Sequence, residues 1–230
     1  MTALRIVPVE GIPEVRPGDD LAALLGDGVA RAGGLEPGDV LVVVQKVVSK
    51  AEGRVERTDD HVATILREAR SVRRRRGDLV IAETEHGFVC ASAGVDRSNA
   101  PGDGWVVLLP RDPDGSAVAL RDALAARFGA PPAVIVSDSF GRPWRQGTTD
   151  VAIGVAGLSP LLDLRGTTDA RGYELRSTLV AVADELAGAA ELVMGKAAGV
   201  PAALVRGYAA PPGEGSARDL VMPPERDLFR

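Results

Sequence analysis

The sequence contains almost none of the residues on which thiol and histidine chemistry depends. Among its 230 residues there is one cysteine, Cys90, and there are two histidines, His61 and His86. A single cysteine excludes an internal disulfide and a cysteine-bound zinc or iron–sulfur centre. Two histidines exclude a multi-histidine metal site, so a metal would be held mainly by oxygen. Because Cys90 lies among apolar neighbours in a predicted strand, we expect its thiol to be buried and inert.

Long apolar runs and a net positive charge are also missing. No apolar stretch approaches the roughly 20 residues of a bilayer span, and the N-terminus lacks the apolar core of a signal peptide. The formal net charge of -5 argues against a general nucleic-acid binder, since affinity for the phosphate backbone needs a basic face. The one basic cluster, Arg70 with residues 73–76, is interpreted as a solvated helix end. We therefore expect a cytoplasmic globular protein with no membrane and no nucleic-acid partner.

The common phosphate-binding motifs G-x-x-x-x-G-K-[ST] and G-x-G-x-x-G do not occur. Their absence argues against a P-loop enzyme and against an ordinary dinucleotide-binding fold. A bound nucleotide would therefore be held in another way. Lys46 and Lys50, which follow an apolar run, could both face a triphosphate, although lone lysines after a strand more often only aid solubility. The segment 194–199 suits either a glycine cap of a helix or a loop over phosphates.

Strands and helices alternate along the chain. Apolar runs predict strands at residues 6–9, 40–44, 79–82, 88–91, 105–109, 133–136 and 202–205. Helical spacing predicts helices at residues 21–29, with Asp19 or Asp20 as N-cap, and at 61–74, 117–128 and 174–194. Several strands are separated by turns too short for a crossover helix, which favours a mixed sheet. The predicted fold class is α/β (α+β), a mixed β-sheet with flanking helices, in a single domain over residues 1–230 or in two closely packed lobes.

Residues 137–150 form the most informative segment of the chain, and they follow directly on an apolar run. They gather carboxylates, guanidiniums, hydroxyls and glycines into one predicted loop after a buried strand. Asp138 and Ser139 offer the hard oxygen ligands that Mg²⁺ or Mn²⁺ takes, and Arg142 and Arg145 offer planar forks for phosphate or carboxylate. A structural ion pair between Asp138 and either arginine is the alternative. The density of functional groups favours a site for nucleotide phosphates.

Asp96 is a second candidate for metal binding. It precedes Ser98 and Asn99 in a set of turn-forming residues, which more often bond their own backbone than a metal. If Asp96 lies near Asp138, two like charges meet, and a divalent cation is the simplest compensation. Because Ser98, Ser139 and the histidines do not assemble a nucleophile with its base, covalent catalysis is not expected.

Six segments, spread over nearly the whole chain, carry a resemblance to a known family. They are residues 11–20, 48–54, 93–99, 112–116, 138–142 and 182–186. Together, and in this order, they resemble the coenzyme F420:L-glutamate ligase family. The resemblance implies a GTP-dependent enzyme that joins L-glutamate to the deazaflavin F420-0, with Mg²⁺ or Mn²⁺ and often K⁺. It also implies a mixed α/β fold that forms an intertwined homodimer.

The resemblance implies roles for individual residues. Nucleotide contacts would come from Glu10, Gly11, Ile12, Pro13, Gln45, Lys46, Lys50 and Asn99. A loop closing over the nucleotide would consist of Met194, Gly195, Lys196, Ala197, Ala198, Gly199 and Val200. Metal ligands would be Asp96, Asp138 and Ser139. The expected catalytic residues are Asp138, Arg142 and Arg145, with the arginines holding substrate carboxylate or developing charge.

Lys196 departs from the family pattern. Many archaeal members resembled by this chain carry a glutamate metal ligand at the position that Lys196 takes here. A second metal would then be held by Ser139, phosphates and water alone, or the positive charge of Lys196 would replace part of the charge of that metal ion. Actinobacterial members can continue past a segment like 227–229 into a flavin-binding, nitroreductase-like domain. The sequence ends at Arg230, so we expect a stand-alone ligase or a separated N-terminal half.

The resemblance implies a two-step reaction. The γ-phosphate of GTP would pass to the terminal carboxylate of F420-0, and the amine of L-glutamate would attack the resulting acyl phosphate. An amide would form with release of GDP and phosphate, and further γ-linked glutamates could follow. Two alternatives remain at this point: a non-catalytic nucleotide- or deazaflavin-binding module, and a metal-dependent phosphohydrolase.

Overall fold

The computed structural model describes residues 3–228, which form five α-helices and twelve strands with three short 3₁₀ helices. The helices are α1 (Leu21–Arg31), α2 (Gln45–Ala51), α3 (His61–Glu68), α4 (Pro113–Phe128) and α5 (Val182–Met194). The strands are β1 (Arg5–Pro8), β2 (Val40–Val44), β3 (Val55–Arg57), β4 (Ala69–Arg76), β5 (Leu79–Thr84), β6 (Val89–Ala91), β7 (Trp105–Val107), β8 (Ala133–Arg142), β9 (Arg145–Ala156), β10 (Leu162–Asp163), β11 (Leu179–Val180) and β12 (Ala202–Arg206). Within this part of the chain, no helix is both long and apolar enough to cross a membrane.

A five-stranded mixed sheet forms the centre of the fold. Its strand order is β1-β12-β2-β8-β9, in which β2 and β8 run parallel and the other neighbours run antiparallel. Residues 40–43 of β2 and 134–136 of β8 are fully buried, as is typical of strands covered on both faces. Helices α4 and α5 pack against β9, and α5 also packs against β12. The predicted mixed α/β fold with flanking helices is therefore confirmed.

A second, smaller apolar core lies apart from the central sheet. It contains Ile65 of α3, Val80 of β5, Val95, Val106 of β7 and Leu108. The three-stranded sheet β4-β5-β6 and the pair β3-β7 surround it. The chain between β2 and β8 thus builds a separate layer, and it returns to the central sheet through α4.

Three helices begin at aspartates whose side chains cap the first turn. Asp20 accepts a hydrogen bond from the Ala23 amide at 2.9 Å, and Asp60 and Asp112 cap α3 and α4 in the same way. Such a cap satisfies a backbone donor that has no partner within the helix. The predicted cap at Asp20 is confirmed. Helix α4 starts at Pro113, four residues before the predicted start, because the Asp112 cap is followed by a proline suited to the first turn.

The helix predicted over residues 61–74 is wrong in its second half. Helix α3 ends at Glu68, and the arginine cluster lies on strand β4. Strand β4 pairs with β5 through a tight turn at Gly77, which has a φ of +61°. A backbone in this left-handed region favours glycine, and the ladder with β5 outweighs the helical preference of the arginines. Arg70 and Arg73 both pair with Glu83 of β5.

Two further predictions are corrected. The helix predicted over residues 174–194 begins only at Val182, because residues 179–180 pair with β10 instead. The polar segment 137–150, predicted as a loop, is a β-hairpin in which β8 and β9 remain paired as far as Arg142 and Arg145. Trp144 in its turn has a φ of +55°. Strand β8 therefore continues beyond its apolar run, because its polar residues form backbone hydrogen bonds with β9.

A buried ion pair fixes the start of β2 to the end of β12. Asp39 is 2% exposed and Arg206 is 7% exposed. The Arg206 guanidinium donates to both carboxylate oxygens of Asp39, at 3.1 and 3.2 Å, and its Nη1 lies 3.1 Å from Glu36. The Glu36 amide donates to Asp39 as well, at 2.9 Å. Asp39 is thus the anion on which this corner of the sheet depends.

We predict that Asp39→Ala lowers the free energy of unfolding by about 3 kcal/mol, near the lower end for a broken buried ion pair because Glu36 remains beside Arg206. The matched control is Asp27→Ala, which removes an exposed pair with Arg127 of 2.7 Å and should cost less than about 1 kcal/mol. Urea unfolding followed by circular dichroism measures both. Equal losses in the two variants would contradict the assignment.

Cys90 lies in β6 and is 6% exposed. Burial, with the nearby Asp138 carboxylate, raises the pKa of its thiol to about 12. Very little reactive thiolate is present near neutral pH, so the expected inert thiol has a physical basis.

We predict that iodoacetamide at about pH 8 leaves the folded protein unmodified and alkylates one thiol per chain after unfolding. Rapid stoichiometric labelling of the folded protein, read by mass spectrometry, would show that Cys90 is accessible.

Candidate active site

A pocket of about 340 Å³ opens where β2 ends and where the apolar run of β8 ends. In the parallel pair, Val44 lies opposite Ser137, so the polar residues that follow the two apolar runs lie side by side. Helix α2 begins immediately after β2, and Asp138 and Ser139 follow immediately on Ser137. Crevices at the carboxyl ends of parallel strands are frequent ligand sites in α/β sheets. The pocket therefore has both the position and the polar lining of a binding site.

Most of the residues predicted for the site line this one pocket. They are Ile12, Pro13, Gln45, Lys46, Lys50, Asn99, Asp138, Ser139, Gly195, Lys196, Ala197, Gly199 and Val200. These residues come from five separate segments of the chain. The fold thus brings together groups that the sequence alone only placed near the ends of different elements.

The remaining predicted residues lie elsewhere. Glu10 and Gly11 line a neighbouring crevice, where the Arg31 guanidinium donates to both of their carbonyl oxygens, at 3.2 and 3.0 Å. Met194 is fully buried in the main core. Ala198 is exposed in the loop after α5, outside the pocket lining. Asp96 reaches the pocket through its contact with Lys46.

Arg142 and Arg145 are exposed at the end of the β8–β9 hairpin, outside the lining of the pocket. Arg142 donates to the Gln146 carbonyl oxygen at 3.1 Å. The two strands stay paired beyond Ser139, and this pairing carries both guanidiniums to the turn and away from Asp138. The alternative ion pair between Asp138 and these arginines is not formed among the described residues.

Lys46 and Asp96 form an ion pair of 2.7 Å at the pocket. Asp96 also accepts hydrogen bonds from the Ser98 amide and hydroxyl, at 2.7 and 2.9 Å. Burial alone would raise the pKa of Asp96, but the hydrogen bonds from Lys46 and Ser98 outweigh it and hold the pKa below its ordinary value. Asp96 is therefore an anion in a pre-arranged turn, and its ion pair with Lys46 places it beside the pocket.

Asp138 has the opposite environment. Burial raises its pKa to about 6, and the negative charges of Asp96 and Asp150 add to this effect, whereas Lys46 and the Ser139 amide oppose it. The pocket thus holds a carboxylate whose charge the surrounding protein compensates poorly. A bound cation would supply the missing compensation.

The donors at this position are suited to a hard divalent cation. Asp96, Asp138 and Ser139 offer carboxylate and hydroxyl oxygen, the ligand type that Mg²⁺ and Mn²⁺ prefer. No cluster of three or more histidine, cysteine or acidic side chains surrounds a common point within residues 3–228. The residues fit a cation that completes its coordination with substrate phosphate and water, as Mg²⁺ usually does.

Lys50 is the second ammonium group of the pocket. It is 5% exposed, and its Nζ lies 2.5 Å from Glu14. The Glu14 side chain itself is 69% exposed, so solvent weakens its hold on Lys50. A buried lysine whose counter-ion is exposed is well placed to bind an incoming anion.

Gln45 carries an unsatisfied donor in the wall of the pocket. Its side chain is 1% exposed, and its Oε1 accepts from the Ser49 hydroxyl at 2.8 Å. Its Nε2 finds no hydrogen-bond partner within the described part of the chain. A buried amide left without a partner costs free energy, so a ligand that binds it gains a favourable contact.

Three acidic pocket residues were missed by the sequence reasoning: Glu14, Asp150 and Glu191. Glu191 lies on α5, where a charged residue is by default expected on the solvent-exposed face, yet it lines the pocket. Burial and the negative charge of Asp150 raise the pKa of Glu191, and Lys196 and Lys46 oppose the increase. Asp150 was unassigned because its role depends on pairing across the hairpin. The sequence offered one signal for Glu191: it lies one helical turn before Gly195, a residue of the loop predicted to cover the nucleotide.

The sequence of the chain is similar to one family of known proteins. The family model for F420-0:gamma-glutamyl ligase matches residues 11–207. The coenzyme F420:L-glutamate ligase of Methanothermobacter thermautotrophicus is 44% identical, over 99% of each chain. That of Methanopyrus kandleri is 45% identical, over 100% of this chain and 99% of the relative, and that of Methanocaldococcus jannaschii is 40% identical, over 85% and 86%. This chain belongs to the F420-0:gamma-glutamyl ligase family.

Proposed function

We propose that the chain is a coenzyme F420:L-glutamate ligase that uses GTP to add L-glutamate, and then further γ-linked glutamates, to F420-0. The observation that carries this proposal is the pocket in which Lys46, Lys50, Asp138 and an unpaired Gln45 amide converge. The identities to proteins named coenzyme F420:L-glutamate ligase support the choice of reaction. The proposal includes an intertwined homodimer working in the cytoplasm.

Phosphate binding is assigned to the two lysines and to the loop after α5. Each lysine already has a carboxylate partner: Asp96 for Lys46 and Glu14 for Lys50. A triphosphate would compete for both ammonium groups and release these carboxylates. The released Asp96 could then bind a cation that accompanies the phosphates. The loop at residues 195–200, which lines the same pocket, would cover the nucleotide.

Metal binding is assigned to Asp96, Asp138 and Ser139, with Mg²⁺ or Mn²⁺ as the divalent ion and K⁺ as an additional ion. When bound, the divalent ion would neutralise phosphate charge and make the γ-phosphate easier to transfer. Lys196 occupies the pocket loop and would supply positive charge where the family resemblance implies a second metal. The protein's own part is to position phosphates and carboxylates and to compensate their charge.

The reaction needs activation because a carboxylate is a poor electrophile. Transfer of the γ-phosphoryl group to the terminal carboxylate of F420-0 releases GDP and forms an acyl phosphate. The amine of L-glutamate then attacks the carbonyl carbon, phosphate leaves, and the amine loses a proton. Arg142 and Arg145, outside the pocket of the described chain, are proposed to hold substrate carboxylate from the hairpin end.

Mass spectrometry of the deazaflavin tests the proposal directly. Purified protein is incubated with F420-0, GTP, Mn²⁺ and L-glutamate, and GDP is measured in the same sample. We expect glutamyl additions matched one to one by GDP. Phosphate release without glutamylation would favour a phosphohydrolase. Ligand-dependent thermal stabilisation without any product would favour a non-catalytic binding module.

The Asp138→Asn variant should lower kcat at least about a hundredfold, the scale seen when one pre-organised charge is removed from an active site. The amide keeps the shape of the side chain but loses the charge that would hold the cation. Asp163→Asn is the control, since Asp163 is half-exposed and pairs with Arg165 outside the pocket. Near-normal turnover in Asp138→Asn would contradict the assignment of Asp138 as a cation ligand needed for catalysis.

A stability measurement separates loss of function from misfolding in this variant. The folded pKa of Asp138, about 6, lies above its ordinary value of 3.8. Folding therefore favours the protonated carboxyl, and ionisation of Asp138 lowers stability as the pH rises towards 6. In chelator-treated protein above pH 6, Asp138→Asn should raise the thermal midpoint, and the gain should disappear below about pH 4. A lowered midpoint at both pH values would indicate a structural role instead.

A further inference from the structure

Asp150 lies beneath Ser139 and is held entirely by hydroxyl groups. It is 2% exposed and stands directly opposite Ser139 in the β8–β9 ladder. The Ser139 hydroxyl donates to its Oδ1 at 2.6 Å, and the Ser137 hydroxyl donates to its Oδ2 at 2.9 Å. Ser137 and Ser139 share one face of β8 because they are two residues apart. The carboxylate thus binds two neighbouring serines of the strand that forms the pocket wall.

The direction of these hydrogen bonds has a chemical consequence. A serine hydroxyl has one proton and two lone pairs, whereas an ionised carboxylate can only accept. Once Ser139 donates its proton to Asp150, its lone pairs remain for another partner. Ser139 lines the pocket, so those lone pairs are available to a cation there. We propose that Asp150 is a positioning residue that holds Ser139 in the orientation of an oxygen ligand.

This inference rests on the proposed function, in which Ser139 is a metal ligand. Without Asp150, the Ser139 hydroxyl could rotate and present its proton to the pocket, and a proton repels a cation. Partners that orient a metal ligand commonly change metal affinity by about 10- to 100-fold when removed.

The test is a titration of the protein with Mn²⁺ alone, in which electron paramagnetic resonance measures the free ion. Asp150→Asn should weaken Mn²⁺ binding about 10- to 100-fold, and Ser139→Ala should weaken it similarly. Because Asp150 acts through Ser139, the double variant should bind no more weakly than Ser139→Ala. Ser139→Thr keeps the hydroxyl and should keep Mn²⁺ affinity within a few-fold of the parent.

Asp114→Asn provides a matched control. Asp114 is a partly buried carboxylate that also accepts from a serine hydroxyl, that of Ser216, and from the Val155 amide at 2.8 Å, outside the pocket lining. This variant should lower the thermal midpoint without changing the Mn²⁺ affinity of the folded protein. A general loss of stability in Asp150→Asn is thereby distinguished from a loss of ligand orientation.

Additive losses in the double variant would overturn the proposal, because Asp150 would then act independently of Ser139. Unchanged Mn²⁺ affinity in Asp150→Asn would overturn it as well. If Asp150→Asn does not fold, the comparison of Ser139→Ala with Ser139→Thr replaces it. Equal Mn²⁺ affinities in these two variants would also overturn the proposal. None of these titrations needs turnover, so their outcome is separate from the glutamylation assay that tests the proposed function.

Discussion

The parallel pairing of β2 with β8 determines where every polar group of the pocket lies. Val40 to Val44 pair in register with Ala133 to Ser137, so β2 ends beside the point where the apolar run of β8 ends. Residues 40–43 and 134–136 are fully buried on both faces of the sheet, so a shift of register would disrupt their packing on both sides. The chain then continues into α2 on one side and into Asp138 on the other. The packing of these apolar strands thus holds negatively charged side chains close together in the pocket, although they repel one another.

The electrostatics of the pocket follow from this proximity. Lys46 and Lys50 are paired with carboxylates, whereas burial and acidic neighbours raise the pKa of Asp138. Phosphate groups and a divalent cation would satisfy both kinds of charge, since the lysines could turn to the phosphates and the carboxylates to the cation. The protein therefore carries an electrostatic cost that its ligands would relieve. Such costs are common where a fold is arranged for function.

Much of the fold could be predicted from local patterns. The β-branched run 40–44 and the cap at Asp20 depend on neighbouring residues alone, and both were found as expected. The arginine-rich strand β4 could not be found this way, because its structure depends on pairing with β5 after the turn at Gly77. The role of Asp150 depends similarly on the hairpin that places it opposite Ser139. Family resemblance identified pocket residues that no local pattern connected, but it did not reveal how Arg142 and Arg145 are carried away from the pocket.

We infer that Asp96, Asp138 and Ser139 form a cation site beside bound phosphates. Anomalous X-ray scattering from crystals grown with Mn²⁺ and GDP would locate the cation. We expect a manganese peak within coordination distance of Asp138 and Asp96, with phosphate oxygen completing the coordination and Lys46 turned from Asp96 towards the phosphates. Phosphates bound in the pocket with no manganese peak near these carboxylates, or with manganese bound elsewhere on the chain, would contradict it.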